Sequence, residues 1–74
     1  MSLSIYPNPT NDLLYVQAPQ GSALMLIDMN GKAIVKRKTE AVEETFDLTE
    51  LAQGVYILEI SIDGAIYRER LVKN

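Results

Sequence analysis

The stretch "VYILEISIDGAIYRERLV", residues 55–72, places β-forming residues on both sides of Asp63-Gly64. Asp-Gly is typical of a two-residue hairpin turn, because both central residues of that turn adopt positive φ. Such a loop pairs Glu59 with Arg68 across the two strands, which is a favourable charge pair. The stretch therefore predicts an antiparallel hairpin that organises the C-terminal part of the chain.

The register of this hairpin predicts which of its residues face the core. Side chains alternate between the two faces of a strand, so every second residue shares a face. The predicted core face consists of Tyr56, Leu58, Ile60, Ile62, Ala65, Tyr67 and Leu71. Glu69 is the exception, because the same register turns its carboxylate inward. Either a bulge shifts the register, or Glu69 lies at the rim of the sheet.

Further turn signals divide the rest of the chain into short β-forming runs. These signals are Pro7-Asn8-Pro9, Pro19-Gln20-Gly21, Asn30-Gly31 and Gln53-Gly54. The runs predict strands near 4–6, 13–17, 23–29, 32–38, 44–48, 55–62 and 65–72. A second two-residue hairpin is predicted across Asn30-Gly31. Short strands separated by turns are typical of an all-β antiparallel sandwich or barrel.

The segment "EAVEETFDLTELAQG", residues 40–54, has two interpretations. It contains good helix formers and could be a helix that ends at Gly54. Against a helix, residues 45–48 alternate between polar and apolar with period two. We therefore predict a strand, followed by a single helical turn over residues 49–52.

Composition limits the class of protein. A chain of 74 residues is one small domain; we expect residues 1–3 to be an expression leader and residues 4–74 to be the domain. A net charge of -3 argues against a nucleic-acid partner. The chain has no cysteine and no histidine, which excludes disulfides, thiolate nucleophiles and imidazole bases. No signal peptide or membrane span is visible in the sequence.

No residue set has the pattern of a catalytic or metal site, and no cofactor is predicted. Asn8, Asn11 and Asp12 lack the spacing of a calcium loop and suit turn chemistry. The acidic run formed by Glu40, Glu43 and Glu44 is predicted to be solvated, because a chain this small hardly encloses a cleft. Ser61 has no histidine to activate it. The basic run 36–38 is interpreted as protection of a sheet edge.

Two features remain without a single interpretation. Pro7-Asn8-Pro9 cannot continue a ladder, so it ends the first strand and allows the chain to cross between sheets. Arg68, Arg70 and Lys73 concentrate basic charge in the last strand. That strand is either a charged, soluble edge or a functional surface. We expect Arg70 and Lys73 to point away from the core.

Four motifs in one order resemble a known family. They are "YPNPTNDLLYV", "MLIDMNGKAI", "LTELAQGVYILEI" and "YRERLVKN". Together they are similar to the C-terminal sorting domain of the type IX (Por) secretion system of Bacteroidetes. The matching positions are Tyr6 to Pro9, Ile27-Asp28 with Gly31, Leu51 with Gly54-Val55-Tyr56, and Leu71-Val72-Lys73. The resemblance covers residues 5–74; Glu59 departs from the pattern, since many members have a basic or polar residue there.

The resemblance implies an Ig-like antiparallel β-sandwich of about seven strands, and an address rather than an enzyme. The domain would follow an N-terminal cargo, be recognised in the periplasm, and direct the cargo through the outer-membrane translocon with its shuttle proteins. A surface sortase would then remove the domain and leave the cargo at the cell surface or outside the cell. The proline corner would mark where the cleavable linker stops and the recognised fold begins.

The residues that the resemblance implies for recognition lie near both ends of the domain. They are Pro7, Asn8, Pro9, Gly54, Tyr56, Arg68, Arg70, Leu71, Val72 and Lys73. An alternative function is an Ig-like adhesive or ligand-binding module of a bacterial surface protein. Export of a fused passenger would distinguish the two.

Overall fold

The computed structural model describes residues 3–74 and contains seven strands in two antiparallel sheets. The strands are β1 Ser4–Tyr6, β2 Leu13–Gln17, β3 Ala23–Ile27, β4 Ala33–Lys38, β5 Glu43–Asp47, β6 Gly54–Ile62 and β7 Ala65–Lys73. One sheet has the order β1-β2-β5, and the other has the order β4-β3-β6-β7. The predicted all-β, Ig-like sandwich of seven strands is confirmed. No helix that could cross a membrane occurs within residues 3–74.

The core lies between the two sheets and is built by alternation along each strand. In β2 and β3, every second side chain is buried and the next one faces outward, as period-two patterning requires. The buried apolar residues are Leu14, Val16, Ala18, Leu24, Leu26, Phe46, Leu48, Tyr56, Leu58, Ile60, Ile62 and Leu71. Leu3, which was expected to belong to a leader, packs against this core. Met1 and Ser2 lie outside the described residues, and the leader stays a prediction.

The hairpin of β6 and β7 has the predicted turn and register. Asp63 and Gly64 have φ of 49° and 84°, and Ile62 pairs with Ala65. The pairing continues without a bulge to Gly54 and Lys73. The register of the C-terminal hairpin is therefore confirmed along its whole length.

The burial of β7 differs from the prediction. Ala65 is exposed and Tyr67 is 37% exposed, so their assignment to the core was wrong. The reason is that β7 is an edge strand of nine residues, whereas the strands of the facing sheet have three to five residues. The turn-proximal part of β7 is left uncovered. Glu69 lies on this part and is exposed, which confirms the rim position and not the bulge.

The hairpin of β3 and β4 has a wider loop than predicted. The N–H of Asp28 donates to the carbonyl of Lys32 at 2.9 Å, so three residues and not two form the loop. Among these, only Gly31 has positive φ, at 83°. The carboxylate of Asp28 accepts from the N–H groups of Asn30 and Lys32, both at 2.9 Å. These two hydrogen bonds to the Asp28 side chain stabilise the three-residue loop. The predicted two-residue turn was therefore wrong.

Residues 40–54 contain strand β5 and no helix, so the strand interpretation is confirmed. The predicted helical turn over 49–52 was wrong. Instead, the N–H of Leu51 donates to the carbonyl of Leu48 at 3.0 Å, which closes a simple turn. The hydroxyl and the backbone N–H of Thr49 both donate to the carboxylate of Asp47. These two hydrogen bonds, the one from the hydroxyl above all, lower the pKa of Asp47. The Asp47 side chain thus forms a local turn with Thr49, and the chain leaves this turn directly for β6.

One side of the sandwich is closed by Arg37 of β4. Its Cζ lies 4.3 Å from the centroid of the Phe46 ring, and Nη1 donates to the carbonyl of Thr45 at 2.9 Å. The Glu44 carboxylate lies 3.7 Å from the same nitrogen. The neighbours Lys36 and Lys38 are exposed on the edge strand. Arg37 therefore joins the edges of the two sheets.

Candidate recognition surface

The proline corner follows β1 and projects into solvent. Pro7, Asn8 and Pro9 are all exposed, and the peptide bonds before both prolines are cis. The corner carries the chain from the edge of the smaller sheet toward the last residues of β7. The strands before and after it, β1 and β2, are neighbours in one sheet, so the predicted crossing of the chain between sheets was wrong. Tyr6 precedes it and donates its hydroxyl to Glu43 at 2.6 Å. That hydrogen bond, reinforced by desolvation and the Glu43 charge, raises the pKa of Tyr6.

The side-chain amide of Asn8 bonds to the backbone of β7. Its Nδ2 donates to the carbonyl of Arg70 at 2.9 Å, and its Oδ1 accepts from the N–H of Val72 at 3.1 Å. A carboxamide carries N–H donors and a carbonyl acceptor next to each other, so one side chain can bond to an N–H and a C=O of the same strand. Asn8 therefore takes the place of a neighbouring strand along the end of β7.

Thr10 continues this pairing with its backbone. Its N–H donates to the carbonyl of Val72 at 2.9 Å, and its carbonyl accepts from the N–H of Asn74 at 2.8 Å. The Thr10 side chain is buried, and its hydroxyl donates to the carbonyl of Leu13 at 2.5 Å. Four hydrogen bonds thus join residues 7–10 to residues 70–74, and we call this region the corner–tail junction.

The structure brings together most of the residues predicted for recognition. Asn8, with Pro7 and Pro9 on either side of it in the chain, bonds to the strand end that contains the predicted set Arg70, Leu71, Val72 and Lys73. Gly54 and Tyr56 lie one strand further in, opposite Lys73 and Leu71. Arg68 lies outside the junction, where its Nε donates to Glu59 at 2.9 Å. Leu71 and Tyr56, both predicted for the core face, form a cross-strand pair.

Not every predicted residue is accessible. Leu71 is fully buried and Tyr56 is 7% exposed, with its hydroxyl donating to the carbonyl of Ala52 at 2.6 Å. Lys73 is 8% exposed, so the expectation that it points away from the core was wrong. It lies on the face of β7 that Leu71 occupies, because the two residues are two positions apart. The accessible predicted residues at the junction are the corner residues and Arg70.

Thr10 is a junction residue that the sequence analysis did not identify. Its hydroxyl bonds locally to the carbonyl of Leu13, whereas its backbone pairs with β7. No local pattern indicates this role, because the partner strand lies at the other end of the chain. Within the described residues, no cluster of three or more carboxylates could hold a metal ion.

Comparison with known proteins gives two results. Residues 4–74 match the family profile described as the secretion system C-terminal sorting domain. Among solved structures, the chain is similar to part of PorZ from Porphyromonas gingivalis, an essential bacterial surface component of the type-IX secretion system. The TM-score is 0.86 at 17% identity, over 97% of this chain and 11% of that chain. At that identity the likeness shows a shared fold. No curated protein matches the chain significantly.

Proposed function

The chain belongs to the family of secretion system C-terminal sorting domains, the sorting signals of the type IX system, and we propose that its corner–tail junction is the surface that the system recognises. The family is not a catalytic one. Its members are exported, which implies a location at the cell surface or outside the cell. The motif resemblance described above is thereby confirmed.

The observation that carries the proposal is the pair of hydrogen bonds from Asn8 to β7. These bonds hold two distant sequence motifs in one rigid surface. A surface that exists only when both ends of the domain are in place can be recognised only in the folded state. Recognition of this kind would allow the machinery to select completed sorting domains.

The exposed part of the junction suits recognition by another protein. It combines the rigid rings of Pro7 and Pro9 with the guanidinium of Arg70, and all three residues are exposed. Rigid apolar groups lose little entropy on binding, and arginine forms directed hydrogen bonds to carboxylates. We assign Pro7, Asn8, Pro9 and Arg70 to direct contact. Gly54, Tyr56, Leu71, Val72 and Lys73 support the strand beneath them.

The proposal also covers the route of the cargo. A protein fused to the N-terminal side of the domain is the cargo; the domain is recognised in the periplasm by shuttle proteins and the outer-membrane translocon. A surface sortase then cuts before the domain. The cargo side of the chain enters the sandwich through β1, which precedes the corner, so the fold begins before Pro7 and not at the corner.

A passenger experiment tests the sorting function. A secreted reporter is fused to the N-terminal side of residues 3–74 and expressed in a bacterium that has a type IX system. We expect the reporter outside the cell and shortened by the domain, and we expect it in the periplasm of a strain without the translocon. Retention of the reporter in the wild-type strain, or equal export in both strains, would contradict the proposal.

A further inference from the structure

The turn-proximal part of β7 has an unpaired edge. The corner bonds to Arg70, Val72 and Asn74, all of which are even-numbered, so even residues of β7 direct their backbone groups away from β6. Because this direction alternates along a strand, the N–H and C=O groups of Ile66 and Arg68 also point away from β6. They have no backbone partner within residues 3–74. We call residues 66–70 of β7 the open edge.

The open edge has two chemically different flanks. On the outer face of the sheet lie Arg68 and Arg70, both exposed, with Ile66 54% exposed beside them. On the inner face lies Glu69, at a polar groove of about 300 Å³ that Ser4 and Asn8 also line. A strand added here would meet the exposed guanidinium of Arg70 and the Arg68–Glu59 ion pair with one set of alternate side chains, and polar groups with the other.

Like charges disfavour two of the registers in which a second copy of the chain could pair with this edge. Antiparallel pairing of two open edges centred on Arg68 places Arg68 opposite Arg68. Shifting the centre to Glu69 places Arg68 opposite Arg70 and Glu69 opposite Glu69. Like charges directly opposite each other destabilise a strand pair. In these two registers the charges oppose self-association, while the edge stays available to a strand of opposite charge.

We propose that the open edge of β7 binds an extended strand of a partner protein by β-addition, and that this strand carries carboxylates on the side facing Arg68 and Arg70. Hydroxyl side chains alternate with the carboxylates and face the groove at Glu69. The backbone of the partner satisfies the free groups of Ile66 and Arg68, and its carboxylates supply the charge complementarity. The inference rests on the proposed function in one respect, namely that the partner is a component of the secretion machinery.

Amide hydrogen exchange with a synthetic strand tests the inference. The 74-residue chain is mixed with a blocked eight-residue peptide of alternating threonine and glutamate, and exchange is followed by NMR. We expect the amides of Ile66, Arg68 and Arg70 to become protected, whereas those of Tyr67 and Glu69 are protected already by β6. A peptide of alternating threonine and lysine is the control and should give no protection.

A charge-swapped domain separates β-addition from general electrostatic attraction. The double variant Glu59→Arg with Arg68→Glu keeps the cross-strand ion pair and the net charge, but reverses the sign at the open edge. We expect it to bind the glutamate peptide about three- to tenfold more weakly and the lysine peptide more strongly. Circular dichroism checks that the variant is folded.

Several results would overturn the inference. They are an absence of binding at millimolar peptide, protection that does not alternate along β7, protection on β4 instead, and equal binding of the two peptides. None of these results involves export, so they would leave the passenger experiment unaffected. Conversely, loss of sorting with intact peptide binding would refute the proposed function alone.

Discussion

The side-chain amide of Asn8 replaces a strand neighbour at the end of β7, with its nitrogen bonded to the carbonyl of Arg70 and its oxygen to the N–H of Val72. Few side chains can donate to one backbone group of a strand and accept from the next. A carboxylate only accepts, and a hydroxyl does not span the distance between two successive outward-facing groups. The presence of asparagine between two prolines thus has a structural reason, because the prolines hold the chain in a turn that presents the amide to β7.

Asn8→Ala tests the contribution of this residue to stability. The change removes both hydrogen bonds and leaves the N–H of Val72 without its partner, so we expect a loss of about 1–2 kcal/mol in the free energy of unfolding. The measurement is a denaturant titration followed by circular dichroism. Asn11→Ala is the matched control, since Asn11 is exposed and makes no side-chain hydrogen bond within residues 3–74. Equal midpoints for the two variants would contradict the role of Asn8.

Strands and turns differ in how well the sequence predicts them. All seven strands were predictable, because period-two patterns and turn residues are local properties of the chain. The loop after β3 was not, because the Asp28 carboxylate captures two N–H groups and competes with the tight Asn-Gly turn. The exposure of Tyr67 was not predictable either. It depends on the length of the facing strands and not on the pattern of β7 itself.

Gly64→Val tests the turn that organises β6 and β7. Gly64 has φ of 84°, which a β-branched residue resists, although an added Cβ would meet no atom within 4 Å. The expected loss therefore comes from the backbone alone and is about 1–3 kcal/mol. Thermal unfolding measures it. Gly64→Asn is the control and should lose less, because asparagine tolerates positive φ. A valine variant that melts with the parent would show that the turn contributes little.

At the scale of the whole molecule, the corner–tail junction connects the two ends of the domain. Most of its residues were predictable from the sequence, because both motifs are unusual in composition and order. The contact between the motifs was not predictable, since nothing local relates residue 8 to a strand more than sixty positions away. The burial of Lys73 was missed although the residue lies two positions from Leu71, on the same face of β7. The contact between the two ends of the domain is created by the fold and has no local signal in the sequence.

The claim that the corner–tail junction is the recognised surface is tested most directly by reversing one exposed charge there. The passenger fused to the domain is compared in two versions, Arg70→Glu and Lys38→Glu. Both residues are exposed on edge strands of the same sheet, so the two changes alter net charge equally. We expect the Arg70→Glu passenger to remain in the periplasm with the domain folded, and the Lys38→Glu passenger to be exported normally. Normal export of the Arg70→Glu passenger would contradict the claim.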